Sequence, residues 1–200
     1  MKRIVLGSAS PRRRELMTQI GLEFEVVVSD KEERYDSTVP QEIVKELALM
    51  KAENVAAELG AEHGLRDTVI IGADTIVAVD DKILGKPKDE AEAFEMLTEL
   101  QGRAHQVFTG TAILDYDEDG VCQILNHVVE TKVYVHAMER DEILSYIKSG
   151  EPLDKAGAYG IQGAFAAYID RIEGDYYNVV GLPVSCLYQQ LKQIGGGYVE

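Results

Sequence analysis

The stretch RIVLGSASPRRRELMTQIG, residues 3–21, reads as strand, loop and helix. An apolar run ends at Gly7, and Ser8-Ala9-Ser10 leads into Pro11. Ser10 suits the N-cap, and proline suits the first helical position, where its missing N–H costs nothing. The helix runs through Ile20 and stops at Gly21. Such an opening predicts an α/β protein. Arg12, Arg13 and Arg14 fill the first helical turn, although that end of a helix carries about half a positive charge and favours Asp or Glu. Two readings meet the difficulty: the arginines solvate an exposed helix end, or an anion sits there. The second has the means, namely helix-start N–H groups, the Ser8 hydroxyl and guanidinium groups able to grip phosphate oxygens in pairs.

The charge of the whole chain sharpens that choice. Twenty basic residues against 35 acidic give a net charge of −15 over 200 residues, so any anionic ligand must be held by a local cluster of cations. No long basic stripe is present, which argues against a nucleic-acid partner. At 46% apolar and 28% charged, the composition is that of a globular protein able to bury a core. No apolar run approaches the ~20 residues of a membrane span, and the first residues carry no secretory signal, so a cytoplasmic protein without a membrane partner is expected. Cys122 and Cys186 match no metal or redox spacing, and the four histidines lack ligand spacing.

Further strands are expected at 24–30, across 68–84, and in HQVFTGTAILDY, VCQILNHVVE and TKVYVHAM. A sharp loop is expected at Gly72-Ala73-Asp74 and a hairpin turn near Asp80-Asp81. Helices are expected from about Pro40 to Leu59, after an Asp89 cap, at RDEILSYIKSG and at LPVSCLYQQLKQI. Residues 172–183 read as turn, short strand and helix entry. With no internal repeat or linker, the chain is read as one α/β domain over 1–200 with a mixed sheet, residues 195–200 forming a flexible tail.

Three further stretches bear groups suited to chemistry. In GADT, Asp74 follows a β-branched strand and is placed either as a ligand-crevice carboxylate or as an Asx-turn residue. In GKPKD, Pro87 stiffens the loop from which Lys86 projects. In LDKAGAYGIQG, Lys155 and Gln162 hang on a glycine-rich loop that is either a ligand clamp or a surface connection.

Taken in order, SASPRR, GADT, GKPKD, DKAGAYGIQG and GDYYNVVGLP closely resemble the Maf family of nucleoside triphosphate pyrophosphatases, also called septum formation inhibitors, over residues 4–185. The resemblance implies an elongated, twisted mixed sheet flanked by helices about a central cleft, similar to the inosine triphosphate pyrophosphatases, with two lobes. It implies hydrolysis of a nucleoside triphosphate to monophosphate and pyrophosphate with Mg²⁺ or Mn²⁺, in a chain whose relatives form homodimers. By motif, the functional positions fall at Ser8, Arg12, Arg13, Lys155 and Gln162 for substrate, at Asp74 and Glu33 for metal, and at Asp74, Glu33 and Lys86 for catalysis. The DKAGAYGIQG loop resembles that of the branch acting on dTTP and UTP, and modified pyrimidine nucleotides are further expected substrates. The alternative is a nucleotide-binding regulator of cell division that does not hydrolyse its ligand.

Overall fold

The computed structural model describes residues 2–80 and 82–195. Asp81 of the expected hairpin turn and residues 196–200 of the expected tail lie outside the described residues. The elements run β1 (Arg3–Leu6), α1 (Pro11–Gln19), β2 (Glu25–Val26), α2 (Pro40–His63), β3 (Thr68–Val79), β4 (Lys82–Leu84), α3 (Glu90–Leu100), β5 (Ala104–Tyr116) and β6 (Cys122–Val135). After α4 (Arg140–Ile147) come three 3₁₀ turns, Glu151–Asp154, Ala156–Ala158 and Ala164–Tyr168, then β7 (Ile169–Glu173), α5 (Tyr176–Val180) and α6 (Val184–Gln193).

The strand order is β2-β1-β3-β5-β6-β7, with β4 paired to β3. Strand β1 is parallel to β2 and β3, while β4 is antiparallel to β3 and β7 to β6. The fold is therefore a mixed α/β sheet with helices, as expected from the opening strand-loop-helix. The chain forms two compact units: one holds the segment up to Asp74, Thr109–Val129 and the segment from Gly181, the other Thr75–Phe108 and Glu130–Val180.

In the first unit the core gathers Val5, Ala48, Ala52, Val55, Ile70, Ala112 and Leu114. Ala48, Ala52 and Ala56 share the buried stripe of α2 with Ile43, Val44, Leu47 and Val55. Small residues matter because the helix lies very close to the sheet. A Cβ at Gly72 would fall 2.1 Å from the Ala48 carbonyl oxygen, and one at Gly110 would fall 2.1 Å from that of Val44. This overturns the loop expected at Gly72-Ala73-Asp74: β3 runs unbroken through it. Gly72 is there to admit a helix, and Asp74 projects from the middle of a strand.

The second unit packs Val77, Leu84, Leu97, Leu100, Val107, Val133, Ile143 and Phe165. Asp89 caps α3 as expected, its Oδ1 accepting from the Glu92 N–H at 2.8 Å. Four expectations need correction. The strand at 24–30 shrinks to two paired residues; VCQILNHVVE and TKVYVHAM are one strand of 14 residues; the helix from Pro40 extends to His63; and YYNVV, expected as strand, is helical. The last has a tertiary cause: Asn178 is fully buried and its Nδ2 donates to the Val107 carbonyl at 3.0 Å and to Thr131 Oγ1 at 2.8 Å.

Candidate active site

In the first unit, Pro11 occupies the first turn of α1 and Ser10 its N-cap position, but the Ser10 side chain makes no capping bond. Ser8 does the local work instead: its Oγ accepts from the Ser10 N–H at 3.3 Å and from Arg13 Nη1 at 3.1 Å. Arg13 Nε donates to the Gly181 carbonyl at 2.8 Å. The three arginines therefore part company. Arg14 is exposed, Arg12 half-buried and Arg13 buried, so only Arg14 fits the solvated-helix-end reading. The contact also gives part of GDYYNVVGLP a role, since Gly181 presents the carbonyl that holds Arg13.

Two carboxylates belong to the same unit. Asp74 Oδ1 lies 2.5 Å from Lys51 Nζ, and Glu33 Oε1 lies 3.3 Å from the same atom. Glu33 stands on the irregular loop between β2 and α2, which is tied along the helix: the Asp36 N–H donates to Glu46, the Arg34 N–H to Met50 Sδ, and Ser29 bonds Glu58. The neighbouring Glu32 turns away to Arg34, with an N···O distance of 2.6 Å. Of the adjacent pair, Glu33 is thus the one that joins Asp74. Arg13 belongs to this cluster electrostatically. Burial pushes its pKa down, the Asp74 charge opposes that most strongly, Arg12 deepens it and Glu33 opposes it. An arginine keeps its proton even so, and this guanidinium stands buried with Asp74 and Glu33 acting on its charge.

Lys51 escaped the sequence reading. Its signal is a break in a helical stripe: Val44, Ala48 and Val55 are buried core residues, positions 44, 48, 51 and 55 step by four, three and four, and a lysine among them needs a partner. Asp74 and Glu33 are those partners.

In the second unit, Lys86 is exposed in the loop after β4. The Gly85 carbonyl beside it accepts from the Gly157 N–H at 3.0 Å, which ties the Lys86 loop to the glycine-rich segment. Lys155 Nζ donates to the Glu151 carbonyl at 2.7 Å and to Asp154 Oδ1 at 2.6 Å. Gln162 is exposed. Tyr159 of the same segment is buried, with its hydroxyl 2.7 Å from His105 Nε2. Burial pushes the Tyr159 phenol up and the His105 imidazole down, the latter to about 4. The expected positions thus fall into two groups: Ser8, Arg12, Arg13, Glu33 and Asp74 in one unit, Lys86, Lys155 and Gln162 in the other.

A divalent cation can be tested against the first group. Two carboxylates from separate elements already converge on a single positive charge, the Lys51 ammonium. Among the described residues no cluster of three or more His, Cys, Asp or Glu side chains could hold a metal. The donor set fits a hard ion that takes two carboxylate oxygens from protein and the rest from phosphate and water, the habit of Mg²⁺. No helix among the described residues is long and apolar enough to cross a membrane.

Comparison with known proteins agrees with the motifs. The family described as Maf-like protein matches residues 3–194. The dTTP/UTP pyrophosphatase of Lachnoclostridium phytofermentans is 48% identical over 195 residues, covering 98% of this chain and 96% of the relative. That of Thermoanaerobacter sp. strain X514 is 49% identical over 191 residues, covering 96% of each. Among solved structures, the Staphylococcus aureus Ham1 protein aligns with a TM-score of 0.46 at 14% identity, covering 96% of this chain and all of the other.

Proposed function

The chain belongs to the Maf-like protein family, and on that premise we propose that it hydrolyses dTTP and UTP to the monophosphate and pyrophosphate. The relatives named for that activity support the substrate pair. The observation that carries the chemistry is the cluster in the first unit: a buried Arg13 held by Ser8 and Gly181, beside two carboxylates that share one lysine.

In the reaction, a water oxygen bonds to the α-phosphorus, the bond from that phosphorus to the α,β-bridging oxygen breaks, and pyrophosphate leaves with the electron pair. The water gives up a proton. Little covalent chemistry falls to the protein, so its work is positioning and neutralising charge. Arg12, Arg13 and Lys86 are assigned to phosphate oxygens, with Arg13 preorganised by the two acceptors that fix its plane. Asp74 and Glu33 are assigned to holding Mg²⁺ or Mn²⁺ and to accepting the water's proton, with Lys51 paired to both. The ion, when bound, supplies further neutralisation of the triphosphate. Gln162, able to donate and accept, is assigned to the pyrimidine edge, and Lys155 to a phosphate or the base.

The test is a panel of dTTP, UTP, CTP, purine triphosphates and 7-methyl-GTP, with Mg²⁺ or with chelator and with products identified. The expected result is pyrophosphate, not orthophosphate, from dTTP and UTP first, and none with chelator. Tight binding without pyrophosphate release would instead favour the non-hydrolytic regulator. A purine nucleotide as best substrate would overturn the pyrimidine assignment.

A further inference from the structure

Resting on the assignment of Gln162 to the base, we propose that Glu151 is the positioning residue of the nucleotide-selecting loop, holding Gln162 in place without touching substrate. Glu151 begins the segment whose glycines frame Gln162, and its carboxylate reaches across to the segment's far end. Oε2 accepts from the Ala164 N–H at 3.1 Å, and Oε1 accepts from the Tyr146 hydroxyl at 3.0 Å. The same hydroxyl accepts from the Gly160 N–H at 3.3 Å. A relay from Gly160 through Tyr146 and Glu151 to Ala164 therefore pins the backbone on both sides of Ile161-Gln162-Gly163. The Gly163 N–H closes the turn onto the Gly160 carbonyl at 3.2 Å.

Two observations make the carboxylate specific to this task. A Cβ on Gly163 would coincide with the Glu151 carboxylate, so glycine at that position is what lets the side chain in. At Gly160 a Cβ would meet the Lys155 stem at 2.8 Å and Glu151 Oε1 at 3.4 Å. The Glu151 backbone carbonyl, meanwhile, holds the Lys155 ammonium, so one residue sets both polar groups assigned to substrate on this segment. Two donors converge on the side chain, which calls for an acceptor at both oxygens. Glutamine would keep an acceptor for the Ala164 N–H while its NH₂ donates to the Tyr146 hydroxyl oxygen, so the test removes the side chain, Glu151→Ala.

Two readouts on the full chain decide the matter: hydrogen exchange at the Ala164 amide without nucleotide, and the ratio of kcat/KM for UTP to that for CTP. Glu151→Ala is expected to speed Ala164 exchange about tenfold, to raise KM for UTP by about tenfold with kcat nearly kept, and to narrow the UTP/CTP ratio. Gly163→Ala is expected to reproduce these changes through displacement of the carboxylate, and serves if Glu151→Ala fails to fold. Gln162→Ala is expected to narrow the ratio while leaving Ala164 exchange unchanged. Unchanged Ala164 exchange in Glu151→Ala overturns the role of Glu151. A ratio unmoved in Gln162→Ala overturns the reading of Gln162 on which it rests.

Discussion

Lys51 Nζ lies 2.5 Å from Asp74 Oδ1 and 3.3 Å from Glu33 Oε1, so one ammonium from a helix joins a carboxylate from mid-strand to one from a loop. Lys51 and Asp74 are largely withdrawn from water, Asp74 the more, with its side chain 14% exposed, while Glu33 is exposed. Two carboxylates this close would repel one another without the lysine.

Removing either end of this pairing should therefore abolish chemistry before it abolishes the fold. Asp74→Asn is expected to lower kcat about 100-fold or more while leaving the thermal midpoint within a few degrees. Lys51→Met is expected to lower kcat/KM to a similar degree and, by removing the ammonium between the carboxylates, to strengthen Mn²⁺ binding without nucleotide. Turnover near that of the parent protein in Asp74→Asn would remove Asp74 from both of its assigned roles.

Arg13 predicts a double loss. Its guanidinium is buried and bonded to Gly181 and Ser8, so Arg13→Ala leaves buried acceptors unpaired and should destabilise the protein by about 1–3 kcal/mol as well as impair triphosphate use. Arg13→Lys separates the two effects: it keeps the charge but cannot reproduce the planar fork. Most of the stability should return and most of the activity should not, as denaturant midpoints and kcat/KM measured side by side will show.

Gly72→Ala tests helix packing alone. The added methyl falls against the Ala48 carbonyl and the Ala52 amide, backbone that cannot rotate aside, so a cost of about 3 kcal/mol is expected. Since α2 carries Lys51, activity should fall with stability. A denaturant midpoint equal to that of the parent protein would mean the helix is free to move off the sheet.

His105 predicts acid sensitivity. It is 1% exposed, its Nδ1 lacks a hydrogen-bond partner among the described residues, and burial lowers its pKa from 6.5 to about 4. Between those values the unfolded chain binds a proton that the folded chain refuses, so this group makes stability fall as pH drops through that window and adds no pH dependence above it. The slope approaches about 1.4 kcal/mol per pH unit at most. Melting curves from pH 7 to 4.5 should show a shallower decline in His105→Phe than in the parent protein.

Several features were legible from residues in order. Ser8, Arg12 and Arg13 sit on a strand-loop-helix whose start signals are local, and the Asp89 cap acts over three residues, so both were readable without tertiary information. The unusual placement of arginines at a helix start raised the question of an anion on electrostatic grounds, with a solvated helix end as the other reading. Glycine was the less legible residue: Gly72 suggests a bend when seen in isolation, whereas it lies in an unbroken strand against Ala48. The choice of helix for YYNVV likewise depended on Asn178 finding Val107 and Thr131 far away in sequence.

Local propensity, charge and motif order thus sufficed for the α/β class and the family, because those signals act within a few residues. Only the folded chain decided that Lys51 bridges Glu33 and Asp74, that Gly181 holds Arg13, and that Glu151 spans its own loop. Each of those contacts closes a distance of 13 to 168 residues or turns on which face of a helix meets the sheet, and neither is set by near neighbours.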